Sequence, residues 1–327
     1  MPRITNSMLV ANYLNNMKRN LGNMSTLQNQ LSSGNSITRA SDNPSTATRI
    51  MQLNSEIAAN KQYNSNIKDV TNWLDTTDTA LSEAGNVFSR IRELMVKAGN
   101  GAYGKDEISN IKDEIVQKVA QLGDILNSSF DGNYIFGGTK STSKPVVANS
   151  DGSISYLDKN GTAFTGTSGT AADPNAYTQI NTKLTAEIST GVTIEYNQTS
   201  TNILEFTDTD SGTSVNASDV LKDIVNNLSN PTATNLSTVT GSDLTKMDYI
   251  IKNVQKCRST VGAMQNRMDS AQATNEDQNY NMTSILSEVG DVDYTQKTME
   301  YSVAQTVYTA SLQTSAKVLT KTLLDYL

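Results

Sequence analysis

Histidine is absent from this 327-residue chain, and cysteine occurs once, at Cys257. Those absences remove Ser-His-Asp and Cys-His catalysis and every histidine-ligated zinc site together. No disulfide can form within one chain. Cys257 follows Val254 and precedes Val261 on one helical face, the setting of a small buried thiol. No apolar run approaches the ~18 residues of a bilayer-spanning helix, so no membrane partner is expected. The net charge is −7 and Lys and Arg form no cluster, so nucleic acid is not expected as a partner either. The first residues lack the charged, apolar and small-residue succession of a cleaved secretory signal. Residues 1–41 hold Arg3, Lys18, Arg19 and Arg39 with no acidic residue, superficially the composition of a transit peptide. The same stretch carries a strict heptad for which a discarded peptide has no use. Proline is scarce, and its five copies mark boundaries: Pro2 and Pro44 precede long periodic segments, while Pro145, Pro174 and Pro231 lie in or beside the middle.

What is present is helical periodicity at both ends. Val10, Leu14, Met17, Leu21, Met24, Gln28 and Leu31 recur at spacings alternating between four and three, a 3.5-residue repeat that predicts a left-handed coiled coil. Gly22 inside it costs about 1 kcal/mol relative to alanine, and Ser33-Gly34 ends the helix. A second helix starts at "SDNPSTA", where Asp42 or Asn43 can cap it and Pro44 suits the first turn. Its apolar positions run from Ile50 to Ala98, and "GNGAYG" stops it at Gly99. A third helix carries Ile108, Ile111, Ile115, Val119, Leu122, Leu126 and Phe130, and a fourth long one carries Leu244, Met247, Ile251, Val254, Val261, Met264 and Met268. The final segment has two apolar stripes. Tyr301, Ala304, Tyr308, Leu312, Ala316, Leu319, Leu323 and Leu327 share one face, with Met299, Val303, Val307, Ala310 and Val318 nearly opposite. Such a helix must be covered on two sides. The first helix supplies one cover, and other copies or homologous subunits are the economical source of the second.

Residues 140–240 differ. Ser and Thr make up about a third of them, and ten acidic residues face five basic ones. "SISYL", "VTIEY" and "ILEF" alternate as strands do, Asn160-Gly161 suits a tight hairpin, and "ASDVLKDIVNNLSNP" reads as a helix. The expected fold class is therefore α+β, mainly α with a β insertion: a long antiparallel helical rod, coiled-coil termini and a small central β domain. The expected domains are 1–42 with 291–327, 43–140 with 241–290, and 141–240.

Candidate chemistry is thin. "DTDSGT" at 208–213 has alternating carboxylates, but its glycine falls one place early for a calcium loop and no bidentate Glu follows, so it reads as a polar turn. "YIFGG" at 134–138 lacks nucleotide-loop spacing and reads as the passage from helix into the β region. Asp291 and Asp293 read as caps of the last helix. No catalytic, cofactor or metal site is expected, and the chain is not expected to be an enzyme.

Three stretches carry a family resemblance: "LQNQLSSGNSITRASDNPSTA", "RSTVGAMQNRMDS" and "VYTASLQTSAKVLTKTLLDYL". Together they resemble the bacterial flagellin superfamily. "DGNYIFGGTKSTSKPV", Pro44 and the ending "LLDYL" resemble its hook-associated branch, although Asn43 stands where a second Asp is usual. The resemblance implies a secreted structural protein of the flagellum at the hook–filament junction. Its implied partners are further copies of itself in a ring or helical assembly, another hook-associated protein on the hook side, flagellin on the filament side, and an export chaperone before type III secretion. The implied assembly interface comprises Leu14, Met17, Leu21, Met24 and Leu31 with Tyr308, Leu312, Leu319, Leu323 and Leu327. "FSRIRELMVKAGNG" is similar to the flagellin segment read by an innate-immune receptor, with Arg90, Leu94 and Glu114 at matching positions. A filament subunit is the near alternative; a secreted adhesin, or a surface enzyme on the same scaffold, is the distant one.

Overall fold

A computed structural model describes residues 6–100, 103–164, 175–208 and 211–318. Helices α1 (Asn6–Ser33), α2 (Pro44–Ala98) and α3 (Lys105–Leu126) come first. Short elements follow: β1 (Ser129–Phe130), β2 (Asn133–Tyr134), β3 (Val146–Ala148), β4 (Ile154–Leu157), β5 (Ala163–Phe164), α4 (Ala176–Asn181), β6 (Thr185–Ser189) and β7 (Val192–Glu195). Next are α5 (Ser200–Leu204), β8 (Glu205–Thr207), β9 (Ser214–Asn216), α6 (Ala217–Ser229) and α7 (Ala233–Thr238). A π-helical turn, Val239–Asp243, leads into α8 (Leu244–Gly290), and α9 (Tyr294–Val318) is the last described helix. The fold is mainly α with a β insertion, as the periodicities predict.

The chain divides into two compact units, residues 1–61 with 276–327, and residues 62–275. In the first, α1 and α9 run antiparallel. Gly34 terminates α1 at φ +74°, a left-handed conformation that suits glycine. Val292 N–H donates to the Gly34 carbonyl at 3.0 Å, and Ser36 N–H to that of Gly290 at 2.7 Å. Farther along, the Tyr13 hydroxyl donates to the Ser311 carbonyl. Asn43 is the cap of α2, its Oδ1 accepting from Thr46 N–H at 3.2 Å, while Asp42 accepts from Thr38 and Arg39 in the preceding turn. Asp293 caps α9 through Thr295 and Gln296 N–H. Asp291 does not share that role; its carboxylate accepts from the Ser287 hydroxyl at the end of α8.

In the second unit, α2 and α8 are antiparallel neighbours, clamped by Arg92–Asp248 at 2.6 Å, Arg258–Asp78 at 3.0 Å and a Gln265–Asp75 hydrogen bond at 2.7 Å. Leu74, Leu81, Phe88 and Met95 of α2 meet Ile115, Val119 and Leu122 of α3 and Met247, Val254 and Val261 of α8 in one buried core. Cys257 is buried beside them, and burial pushes its thiol up to about 11.

The small sheets are all antiparallel: β1-β2, β3-β4-β5, β6-β7 and β8-β9. Two boundaries differ from the periodic expectation. Phe130, in phase with α3, lies in β1, because α3 stops at Leu126 and the Asn127 amide holds both backbone groups of Val146. Ile203 and Leu204 end α5 rather than begin a strand, since the Thr199 hydroxyl caps a helical turn through Asn202 N–H. Of "DTDSGT", residues 209 and 210 fall outside the described residues, and Asp208 accepts from both the N–H and the hydroxyl of Ser211. The YIFGG passage needs its glycines: at Gly138, φ +62°, an added Cβ would stand 2.3 Å from the Ile180 carbonyl oxygen.

Candidate assembly surface on the terminal helices

A 3.5-residue repeat on α1 admits two seams that share Val10, Met17, Met24 and Leu31 but differ between them. The fourfold-first spacing places Leu14, Leu21 and Gln28 inside, facing the last helix. The structure takes the other seam: Val10, Tyr13, Met17, Asn20, Met24, Leu27 and Leu31 are partly covered, while Leu14 and Leu21 stay 50% and 48% exposed. The facing helix explains the choice. Its covered positions are Tyr301, Ala304, Tyr308, Ser311 and Ser315, a narrow, largely small-residue face. Tyr13 reaches the Ser311 carbonyl only from inside the seam. Leu312, expected on the covered stripe of α9, is therefore exposed.

The second stripe of α9 is open as anticipated. Met299, Val303 and Val307 are exposed, the two valines at 58% and 45%. On α1, Leu14, Met17, Lys18 and Leu21 line a shallow groove of about 110 Å³ together with Tyr308 of α9. Lys297 pairs with Glu300 at 2.7 Å, and that bond with the Gln296 amide holds the Glu300 carboxyl below its usual range. Of the residues foreseen for this surface, Met17, Met24, Leu31 and Tyr308 lie partly covered along the seam, and Leu14, Leu21 and Leu312 lie outside it. Leu319, Leu323 and Leu327 fall outside the described residues. Tyr13, Asn20, Leu27, Ser311 and Ser315 were legible only by reading the same repeat with its three-residue step first.

Arg90 and Glu114 meet, with Nη2 to Oε1 at 2.7 Å, and Glu93 takes a second donor at 3.0 Å. These partners raise the guanidinium pKa. Leu94 is not beside them at the surface; it is 1% exposed in the core. Among the described residues no group of three or more metal-ligating side chains gathers, and no helix is long and apolar enough to cross a membrane.

The terminal helices pair with each other and leave a further apolar side uncovered. Residues 4–141 match the bacterial flagellin N-terminal helical region and residues 244–327 the bacterial flagellin C-terminal helical region, together about two thirds of the chain. This chain belongs to the bacterial flagellin family. It is 33% identical over 110 residues to the flagellar filament 41 kDa core protein of Borreliella burgdorferi, covering 34% of this chain and 33% of that protein. The chain thus matches about a third of the length of such curated relatives. Its fold is like that of a flagellar hook-associated protein from Vibrio parahaemolyticus (TM-score 0.59, 19% identity, 76% of this chain and 100% of that one). It is also like flagellar hook-associated protein-3 from Legionella pneumophila (TM-score 0.58, 15% identity, 73% and 98%).

Proposed function

We propose that this chain is a structural adaptor of the flagellum, seated where hook meets filament. The observation that carries the reading is the one-sided seam between α1 and α9. Half of Leu14, Leu21, Val303 and Val307 remains open beside a pair of helices already in contact, and such faces are covered in a helical assembly by neighbouring subunits. Support for the junction rather than the filament comes from the fold, whose likeness runs to hook-associated proteins over most of both chains. The partners on this reading are further copies of itself, another hook-associated protein on the hook side and flagellin on the filament side. The segments 1–42 and 291–327 make the inner contacts, the remaining helices support them, and residues 141–240 face outward. No step of this role is catalytic. Before secretion the segment from Tyr301 onward is the natural ligand of an export chaperone; undiminished chaperone binding after its deletion removes that part.

Immunogold electron microscopy with antibody to residues 146–240 tests the placement. Label confined to a narrow band at the hook–filament boundary is expected. Label along the whole filament makes the chain a filament subunit and overturns the adaptor role.

A further inference from the structure

The β4-β5 hairpin turns through Asp158, Lys159, Asn160 and Gly161. Gly161 N–H donates to the Asp158 carbonyl at 3.1 Å, and Asp158 N–H donates to the Thr162 carbonyl at 2.9 Å. Gly161 takes φ +81°, whereas Lys159 and Asn160 keep negative φ. The loop is therefore a type I turn followed by a left-handed glycine, the build of a three-residue hairpin. It is anchored from inside. Asp158 is fully buried, and its Oδ1 accepts from Asn160 N–H at 2.8 Å and from Thr162 N–H at 2.7 Å. The buried Lys140 ammonium donates to the Leu157 carbonyl, one residue earlier, at 2.7 Å. Outside, Asn160 and Gly161 are both exposed, and the Asn160 side-chain amide makes no hydrogen bond among the described residues.

A free asparagine amide next to glycine is open to attack by its own backbone. Gly161 has no Cβ to hinder the approach of its nitrogen to Asn160 Cγ, and a Cβ added there would meet nothing within 4 Å. Other asparagines that precede a small residue are held. Asn54 and Asn64 lie inside α2, where the helical ladder fixes the following N–H, and the Asn127 amide is bound to Val146. The second Asn-Gly pair, Asn100-Gly101, extends outside the described residues. We propose that Asn160 is a site of spontaneous deamidation. The Gly161 nitrogen bonds to Asn160 Cγ, the Cγ–Nδ2 bond breaks, and the Gly161 amide proton leaves with Nδ2 as ammonia. Water then opens the five-membered imide at either carbonyl, giving aspartate or isoaspartate at position 160. Both products add a negative charge, and isoaspartate also adds a carbon to the main chain of the loop. Thr162 N–H then loses its place on Asp158 Oδ1, and the hairpin loosens. Opening the turn for the attack gives up one exposed backbone hydrogen bond, which slows the reaction by no more than about tenfold relative to the unfolded chain. The assignment is independent of any role at the hook–filament junction.

The purified full chain is aged in mildly alkaline buffer, once folded and once in urea, and its proteolytic peptides are followed by mass spectrometry. A gain of one mass unit should accumulate at Asn160 in the folded chain at no less than about a tenth of the rate in urea. It should run about tenfold or more ahead of Asn54, Asn64 and Asn127, whose backbones open only with the structure around them. Enzymatic methylation specific for isoaspartate should label the same peptide. Asn160→Gln should abolish the label, and Asn160→Asp supplies the charge without the added main-chain carbon. Hydrogen exchange at Thr162 N–H should quicken in the aged wild type and stay unchanged in Asn160→Asp. An Asn160 still unmodified in the folded chain once the urea sample has converted overturns the proposal, as does conversion no faster than at Asn54.

Discussion

Replacing Val303 and Val307 together by serine tests whether the open face of α9 is a subunit contact. Full burial of a valine side chain contributes about 1.5–2 kcal/mol. With 58% and 45% of these residues still exposed, about half of that contribution remains to be gained from another chain, so the pair holds about 2 kcal/mol for assembly. Serine forfeits nearly all of it, while its helix propensity is close to that of valine, so the monomer should be unaffected. At 1.4 kcal/mol per tenfold, the critical concentration for polymerisation should rise about 30-fold. Sedimentation of polymer from a concentration series reads that number, and swarming of the mutant strain reads its consequence. Circular dichroism melting of the monomer supplies the control. An unchanged critical concentration, in a variant that melts like the wild type, refutes the assignment of this face to contact between subunits.

Leu81, fully buried between α2, α3 and α8, should cost about 2–5 kcal/mol on replacement by alanine, read as a lower denaturant midpoint for the second unit. Lys140 should make stability rise with pH just above 8. Burial pushes its ammonium down to about 8 from 10.5, the nearby Asp158 opposing this. Between those values the unfolded chain keeps a proton that the folded one has lost, so stability increases with pH. From pH 8 to 9 the gain is at most about 1.4 kcal/mol. Above 9 the buried Cys257 acts in the opposite sense, because the unfolded thiol ionises before the folded one. Urea titrations at pH 8 and pH 9 should show the gain in the wild type and its loss in Lys140→Met. Finally, an innate-immune receptor that reads the 88–101 segment in the folded monomer should read the exposed Arg90–Glu114 pair and not Leu94. Arg90→Ala should lower a receptor-reporter response, while Leu94→Ala should act through thermal stability, and a silent wild type removes the reading.

Long helices were legible because their period repeats many times: the eleven turns and more of α2 and α8 outvote any single misplaced residue. Short elements had no such redundancy. Phe130 sits four residues beyond Leu126 and satisfies the helical period, yet the turn is decided by Asn127 holding Val146, nineteen residues away. Ile203 and Leu204 alternate with Glu205 and Phe206 as a strand does, and one capping hydroxyl at Thr199 winds them into a helical turn instead. The edge-on packing of Phe130 and Tyr196 against Trp73 was not legible at all, since the three rings come from separate parts of the chain that only the tertiary fold assembles.

The seam of α1 was ambiguous for a different reason. A repeat with Val10, Met17, Met24 and Leu31 fixed permits Leu14 and Leu21 inside, or Tyr13, Asn20 and Leu27, and the pattern of α1 alone ranks the leucines first. The partner decides against it. A face built of Ala304, Ser311 and Ser315 offers small side chains and an accessible carbonyl, which accommodate Tyr13 and Asn20 and leave the leucines out. Such a seam buries less apolar area than a leucine seam, so the pair α1–α9 is held weakly by its own contacts. On the adaptor reading that weakness has a use. Strong helix pairing within the monomer would consume the leucines, and the side of α1 left for other chains would be more polar. The small residues of α9 thus set the direction in which Leu14 and Leu21 point. An α9 with Ser311→Leu and Ser315→Leu should draw the pairing tighter, raise the melting temperature of the first unit and lower its tendency to polymerise.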